Sequence, residues 1–319
     1  MEEECVAILL AAYKGEEYIA QQIDSILAQS YKNWHLWIRV DSSSDQTEQI
    51  VSEYARQHSR IYVLDNQGLR MGAKLNFGAL MFEISRHPYE YIMFSDQDDV
   101  WSNNKVENSL ASIQMEYANC KENTPLLIHT DFQYADVSLN PLNVRSNVAI
   151  KLSTVHNKLA LIANDNYIFG CTMIINKALL LRSIPVSVDA DNHDYWIALH
   201  AAAFGRITYL DQKTMVYRQH HNNVSGGVKY SSFRNRLARL TDFSSYIIGK
   251  NKRREQFRAF FNKEVDCISI DQKLVLKRYL YYSDKGGFRA VIFMISHGFK
   301  LRGPLQTLMY YMSLLLDVK

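Results

Sequence analysis

Only four cysteines occur in the 319-residue chain, Cys5, Cys120, Cys171 and Cys267, and no two form a CxxC pair. That spacing argues against a zinc site or a disulfide scaffold and suits a reducing cytoplasm. No uninterrupted apolar stretch reaches the roughly 20 residues that cross a bilayer. A secretory leader is not expected, because Glu2, Glu3 and Glu4 stand where such a leader carries positive charge. Internal repeats and low-complexity segments are lacking too. What remains is an ordinary globular balance, 47% hydrophobic and 22% charged. The length suits one large domain, or one domain with an appendage.

Charge is unevenly spread. Residues 228–319 carry 18 Lys/Arg against 7 Asp/Glu, whereas residues 1–227 carry 18 against 26. The two parts are expected to do different jobs. A catalytic domain is assigned to 1–227 and a basic helical extension to 228–319, with Ser225-Gly226-Gly227 as the boundary.

Hydrophobic periodicity gives the fold class. Val6–Ala12 is an apolar run that suits a strand buried on both faces, and Gly15 ends it. Ile19, Ile23, Ile26 and Leu27 recur at helical spacing. Strands are expected at 34–40, 61–64 and 91–94, with helices between them at 45–56 and 72–84. Asp45 would cap the first of these helices, with Glu48 completing a capping box. A helix over 106–117 and a strand over 126–129 follow. Beyond residue 140 the spacing predicts strands at 169–175, 207–210 and 215–217, and helices at 177–183 and 195–204. Alternating strands and helices mean an α/β, doubly wound, parallel sheet of Rossmann-like type. In such sheets ligands sit beyond the carboxyl ends of the strands.

Two acidic segments fall at such ends, Asp41–Asp45 and Asp96–Asp99. The second ends an apolar, aromatic run with three carboxylates in four positions, and Trp101 follows. Like charges this close repel, and desolvating them is costly. A divalent cation would neutralise them, and a hard cation such as Mg²⁺ keeps positions open for phosphate oxygens. The competing reading is a solvated acidic turn after an edge strand.

Four segments now stand in order: Ala11-Ala12-Tyr13-Lys14-Gly15, Val40-Asp41-Ser42-Ser43-Ser44-Asp45, Ser95-Asp96-Gln97-Asp98-Asp99-Val100-Trp101 and His193-Asp194-Tyr195-Trp196. In that order and spacing they resemble the inverting glycosyltransferases of family 2, which have the GT-A fold, over roughly residues 5–225. The resemblance implies a nucleotide-diphospho-sugar donor, a Mg²⁺ or Mn²⁺ cofactor and a glycan or lipid-linked glycan acceptor. It places Ala11, Tyr13, Asp41, Lys74, Asn76, Asp96 and Arg218 on the donor side. Asp98, Asp96 and His220 become the candidate metal ligands. Asp194 becomes the base that takes the acceptor hydroxyl's proton. Asp99, Trp101, Gly170, Cys171, Thr172, His193 and Trp196 are assigned to the acceptor side. The family's usual Asp-Asp-Gly-Ser is here Val40-Asp41-Ser42-Ser43, so the first Asp and the glycine are missing. For Asp41 a turn role, for Lys74 a surface role and for Asp194 a helix-cap role stand beside these assignments.

The combination of Asp-Gln-Asp-Asp-Val-Trp, His-Asp-Tyr-Trp and Tyr217-Arg218-Gln219-His220 is most similar to bacterial rhamnosyltransferases that build cell-wall or capsular polysaccharide from dTDP-rhamnose. A cytoplasmic protein at the inner face of the cell membrane is the implied setting. In the tail, basic residues interleave with Phe, Tyr, Leu and Ile. This suits amphipathic helices on an anionic membrane face, and equally an appendage packed on the catalytic domain or on a second subunit. Nucleic acid is not an expected partner, given so much apolar surface. A haloacid dehalogenase-type phosphatase would explain Asp96-Gln97-Asp98-Asp99-Val100 but leaves the upstream motifs unexplained. A non-catalytic glycan- or nucleotide-binding relative is the third class; Asp98 and Asp194, both present, argue against it.

Overall fold

A computed structural model describes residues 4–144, 158–220, 243–301 and 303–316. The chain clusters into two compact units. The first is formed by Met1–Thr154, Ile168–Val186 and Asn192–Gly227, the second by Val155–Tyr167, Ser187–Asp191 and Val228–Lys319. The boundary expected at Ser225-Gly226-Gly227 lies outside the described residues.

The first unit is built on one sheet in the order β3-β2-β1-β4-β7-β6-β8-β5. Its first half runs β1 (Val6–Ala12), α1 (Ile19–Leu27), β2 (Trp34–Val40), α2 (Thr47–Gln57), β3 (Ile61–Val63), α3 (Ala73–Ile84) and β4 (Tyr91–Ser95). These four strands are parallel. β1 lies between β2 and β4, and Val6 to Leu10 are fully buried, as a strand covered on both faces requires.

The second half departs from the parallel expectation. It comprises β5 (Val100–Trp101), α4 (Lys105–Ala118), β6 (Leu126–Ala135), α5 (Lys158–Asn164), β7 (Met173–Asn176), α6 (Lys177–Ser183), α7 (His193–Phe204) and β8 (Arg206–Arg218); of these, α5 belongs to the second unit. β7 is antiparallel to both β4 and β6, and β5 is antiparallel to β8. The sheet is therefore mixed. β7 begins beside the carboxyl end of β4, with Ile174 opposite Met93. Gly170–Thr172, expected within a strand, instead forms a 3-10 turn just before it. This reversal brings that turn to the place where Asp96 leaves the sheet.

Two further expectations change. Asp45 does not cap α2. The helix starts two residues later, and the Asp45 carboxylate accepts from Ser43 Oγ at 2.6 Å and Thr47 Oγ1 at 2.7 Å. The strands expected at 207–210 and 215–217 are one strand, β8. Register shifts in β6 between Thr130 and Gln133 carry the ladder past the exposed Asp211-Gln212-Lys213 stretch.

The second unit adds four helices among the described residues, α8 (Phe243–Glu264), α9 (Ile270–Lys285), α10 (Phe288–Ser296) and α11 (Pro304–Leu315). Phe257, Phe260, Tyr279 and Phe299 fill its core. No helix among the described residues is long and apolar enough to cross a membrane.

One core residue of the first unit makes stability depend on pH. His129 on β6 is fully buried, neither ring nitrogen has a hydrogen-bond partner, and burial lowers its pKa to about 3. The folded chain keeps the ring neutral, whereas the unfolded chain protonates it below about 6.5. Its contribution to stability is thus complete above that pH and is lost as pH falls toward 3, at up to ~1.4 kcal/mol per pH unit. His129→Leu should melt progressively above the wild type as the buffer is taken from pH 7 to pH 4; a gap that stays constant would contradict this.

Candidate active site

The carboxyl ends of β1, β2 and β4 form the floor of the site. Two glutamine-scale details tie them together. Gln97 lies between the acidic residues and bonds the Tyr13 backbone twice, accepting from its N–H at 2.7 Å and donating to its carbonyl at 2.9 Å. Gly15 makes room for this, since a Cβ there would sit 2.4 Å from Gln97 Oε1. The Tyr13 ring carries the Arg70 guanidinium at 4.1 Å and has the Lys14 ammonium at 5.7 Å. Cations gathered on an aromatic face suit an anionic, planar ligand. Ala11 is half-buried at the end of β1, opposite Arg39 of β2.

Asp41 is buried. Its Oδ1 accepts from Arg39 at 2.6 Å, and its Oδ2 accepts the backbone N–H groups of Met71 and Gly72 at 3.1 and 2.7 Å. Both Oδ2 lone-pair positions are taken, so Oδ1 alone retains capacity for a nucleobase donor. Asn76, expected on the donor side, is a buried strut instead. Its Nδ2 donates to the carbonyls of Ala12 and Arg39, and its Oδ1 accepts from Arg39. Lys74 is half-exposed in the first turn of α3.

At the end of β4 the carboxylates crowd together. Asp96 keeps part of its surface open, yet burial, then the charges of Asp98 and Asp194, push its pKa up to about 7. Asp99 is fully enclosed; burial and the charges of Asp98 and Asp96 hold its pKa well above the usual carboxylate range. Its Oδ1 accepts from the Arg218 N–H at 3.3 Å. Single ligand atoms of Asp96, Asp99 and Cys171 lie within 4.8 Å of one another. Burial raises the Cys171 thiol, which therefore keeps its proton, and a soft, protonated sulfur suits neither Mg²⁺ nor Mn²⁺. The outer pair fits such ions better. His220 Nε2 lies 2.7 Å from Asp98 Oδ2, both side chains are partly open, and Tyr18 backs the imidazole at 5.0 Å. Carboxylate and imidazole ligands with open positions match Mn²⁺, and carboxylates match Mg²⁺.

Asp194 sits in the first turn of α7, and Asn192, not Asp194, occupies the cap position. Its Oδ2 accepts the Gly170 N–H at 3.1 Å and its Oδ1 accepts the Tyr195 N–H at 2.6 Å. Both bonds fix the carboxylate next to Asp96. Gly170 is required there, because a Cβ would meet His193 Nε2 at 2.6 Å. His193 stacks on Phe77 at 3.9 Å, and burial lowers its pKa to about 3, so the ring stays neutral.

Several residues assigned to ligand contact are spent inside the protein. Arg218, expected to pair with phosphate, is a clasp. Its Nε donates to the Asp98 carbonyl at 2.9 Å, its two terminal nitrogens donate to Val137 O and Gln21 Oε1, and its guanidinium lies over Tyr18 at 4.7 Å. Trp196, expected on the acceptor side, is in the core with its indole N–H on the Ser183 carbonyl at 2.8 Å. Thr172 is fully buried and donates to the Phe169 carbonyl. Trp101 is buried against the Lys105 ammonium, 4.9 Å from its ring.

The sequence offered no cue for Lys105. Its ammonium is fully buried, donates to Thr214 Oγ1 at 3.1 Å, and is pushed down to about 8 by burial, while the charges of Cys171 and Asp99 pull it up. Arg39 was equally hidden within an apolar strand pattern.

The two roles of Arg218 separate experimentally. Arg218→Lys keeps the charge and loses the fork of donors. A clasp predicts a less stable protein, by ~1–3 kcal/mol in denaturant unfolding. A stability equal to wild type, with weakened donor binding, would return the residue to the phosphate.

Comparison with known proteins agrees with the motifs. Residues 7–138 match the model of the family described as Glycosyl transferase family 2. The chain is 29% identical over 231 residues to the dTDP-rhamnosyl transferase RfbG of Shigella flexneri, covering 68% of this chain and 73% of that protein. It is 27% identical to the Escherichia coli enzyme WfgD, a UDP-Glc:alpha-D-GlcNAc-diphosphoundecaprenol beta-1,3-glucosyltransferase, over 62% of this chain and 71% of that one. Among solved structures, S. aureus TarS 1-349 in complex with UDP-GlcNAc superposes with a TM-score of 0.54 at 16% identity, covering 98% of this chain and 90% of that one, a likeness of fold. The match to that family spans residues 7–138, less than half of the chain, and the likeness to the solved structures is one of the GT-A fold.

Proposed function

We propose that this glycosyltransferase moves rhamnose from dTDP-rhamnose, with inversion, onto a hydroxyl of a growing bacterial cell-surface polysaccharide or lipid-linked glycan. The observation that carries the mechanism is the meeting of Asp96, Asp98 and Asp194 at one strand end, where burial first and then the two neighbouring charges push the Asp96 pKa up to about 7. The donor sugar rests on the likeness to RfbG. The acceptor class rests on the likeness to WfgD, a glucosyltransferase of a diphosphoundecaprenol-linked sugar.

Asp98, Asp96 and His220 would hold a Mg²⁺ or Mn²⁺ ion. When bound, that ion supplies positive charge to the diphosphate leaving group. Tyr13, with Arg70 and Lys14 beside its ring, receives the nucleotide, and Asp41 Oδ1 offers its remaining acceptor position to the base. The Asp194 carboxylate takes the proton from the acceptor hydroxyl as that oxygen bonds to the anomeric carbon. The bond from that carbon to the diphosphate breaks, its electron pair leaves with dTDP, and configuration inverts in the single displacement. The Gly170 and Tyr195 amides hold Asp194 to one orientation, so no rotamer search precedes the transfer.

A UDP- or GDP-sugar donor is the alternative, and dTDP release assayed against a panel of nucleotide sugars decides between them. Asp194→Asn should lower turnover ~10²–10⁴-fold while leaving donor affinity near wild type; undiminished turnover would remove Asp194 as the base. Asp98→Ala should abolish the Mn²⁺-dependent part of donor binding in calorimetry. Binding that stays equally sensitive to Mn²⁺ would move the ion elsewhere.

A further inference from the structure

The second unit has an exposed apolar surface. In α10, Ala290, Phe293 and Met294 are buried within the unit. In α11, Tyr310, Ser313 and Leu314 are buried. The two helices pack together, and the Gly287 N–H donates to the Leu314 carbonyl at 2.7 Å. Their opposite faces are also apolar. Phe288, Ile292 and Ile295 are 71, 52 and 59% exposed, and Leu305, Leu308 and Met312 are 44, 53 and 41% exposed. The spacings of four and three, and of three and four, put each trio along one side of its helix. Helices that are apolar on both sides, yet packed on one only, leave a large open apolar face.

We propose that this face docks on an anionic lipid surface. Charge selects that occupant. Residues 286–316 contain Arg289, Lys300 and Arg302 and neither Asp nor Glu. Arg289 and Lys300 are exposed and make no ion pair among the described residues. Acidic headgroups satisfy the cations while the acyl boundary takes the apolar side chains. Nine and twelve residues are too few to span a bilayer, so the helices would lie in the interface plane.

The test is vesicle flotation of the full chain, which uses neither donor nor acceptor and so stands apart from the transfer reaction. The protein should float with vesicles containing phosphatidylglycerol and stay down with phosphatidylcholine alone. Ile292→Ser/Leu308→Ser should weaken flotation more than ~10-fold. Arg289→Gln/Lys300→Gln should weaken it ~10-fold and flatten its salt dependence. All four positions are exposed, and thermal melting checks that the variants fold; Phe288→Ser, at the most exposed of these apolar positions, repeats the test should either double variant melt early. Absence of flotation with phosphatidylglycerol, or both double variants floating like wild type, overturns the proposal. So does a lipid-free dimer in light scattering that Ile292→Ser/Leu308→Ser dissociates, since the face would then belong to a second copy.

Discussion

Four carboxylates share the end of one strand, and the rest of the first unit is arranged around their repulsion. Asp96, Asp98 and Asp99 leave β4 in succession, and Asp194 is brought to them by the start of α7. Water cannot fully screen groups that are this enclosed. The protein relieves the charge in three ways. Asp99 is sealed beside the Cys171 thiol and within reach of the Lys105 charge, its pKa held well above the usual carboxylate range by burial and the charges of Asp98 and Asp96. Arg218 holds this segment twice, its N–H donating to the Asp99 carboxylate and its Nε to the Asp98 carbonyl. Asp98 is left at the open edge beside His220. The pattern separates a buried, neutralised layer from an outer pair suited to an ion and its phosphate ligand.

This division explains why polar residues at the site fall into two kinds. Asn76, Arg39, Gln97 and Arg218 hold strand ends and loops in place. Tyr13 and Asp98 stand at the open edge of the site, with His220 against Asp98 and Asp194 close to Asp96. Positioning by a rigid shell is what a single in-line displacement requires, because small misplacements of reacting groups cost rate steeply.

Much of this was legible in the sequence. The apolar runs of β1, β2 and β4 and the helical spacing of α1, α3, α6 and α7 mark strands and helices whose ends hold the acidic motifs. Periodicity carries direction poorly, so β7 could not be read as antiparallel; the two-residue β5 is too short to show a pattern, and the turn at Gly170–Thr172 looked like strand because it runs directly into the apolar residues of β7. Side-chain commitments were also hidden. An arginine near a proposed phosphate reads as a ligand, and only the geometry reveals that the Arg218 guanidinium already serves Asp98, Val137 and Gln21. Trp196 follows the His193-Asp194 pair in sequence, yet helix geometry turns it into the core. Lys105 was illegible because a lysine at the start of an amphipathic helix ordinarily faces water.

The central claim is that the outer carboxylate–imidazole pair, rather than the buried carboxylate–thiol layer, receives a divalent ion with the nucleotide. Anomalous diffraction at the manganese edge, from crystals grown with Mn²⁺ and dTDP, tests it directly. The account predicts a peak bonded to Asp98 and His220 and in contact with the diphosphate. A peak between Asp99 and Cys171, or dTDP bound in full with no peak, would contradict it.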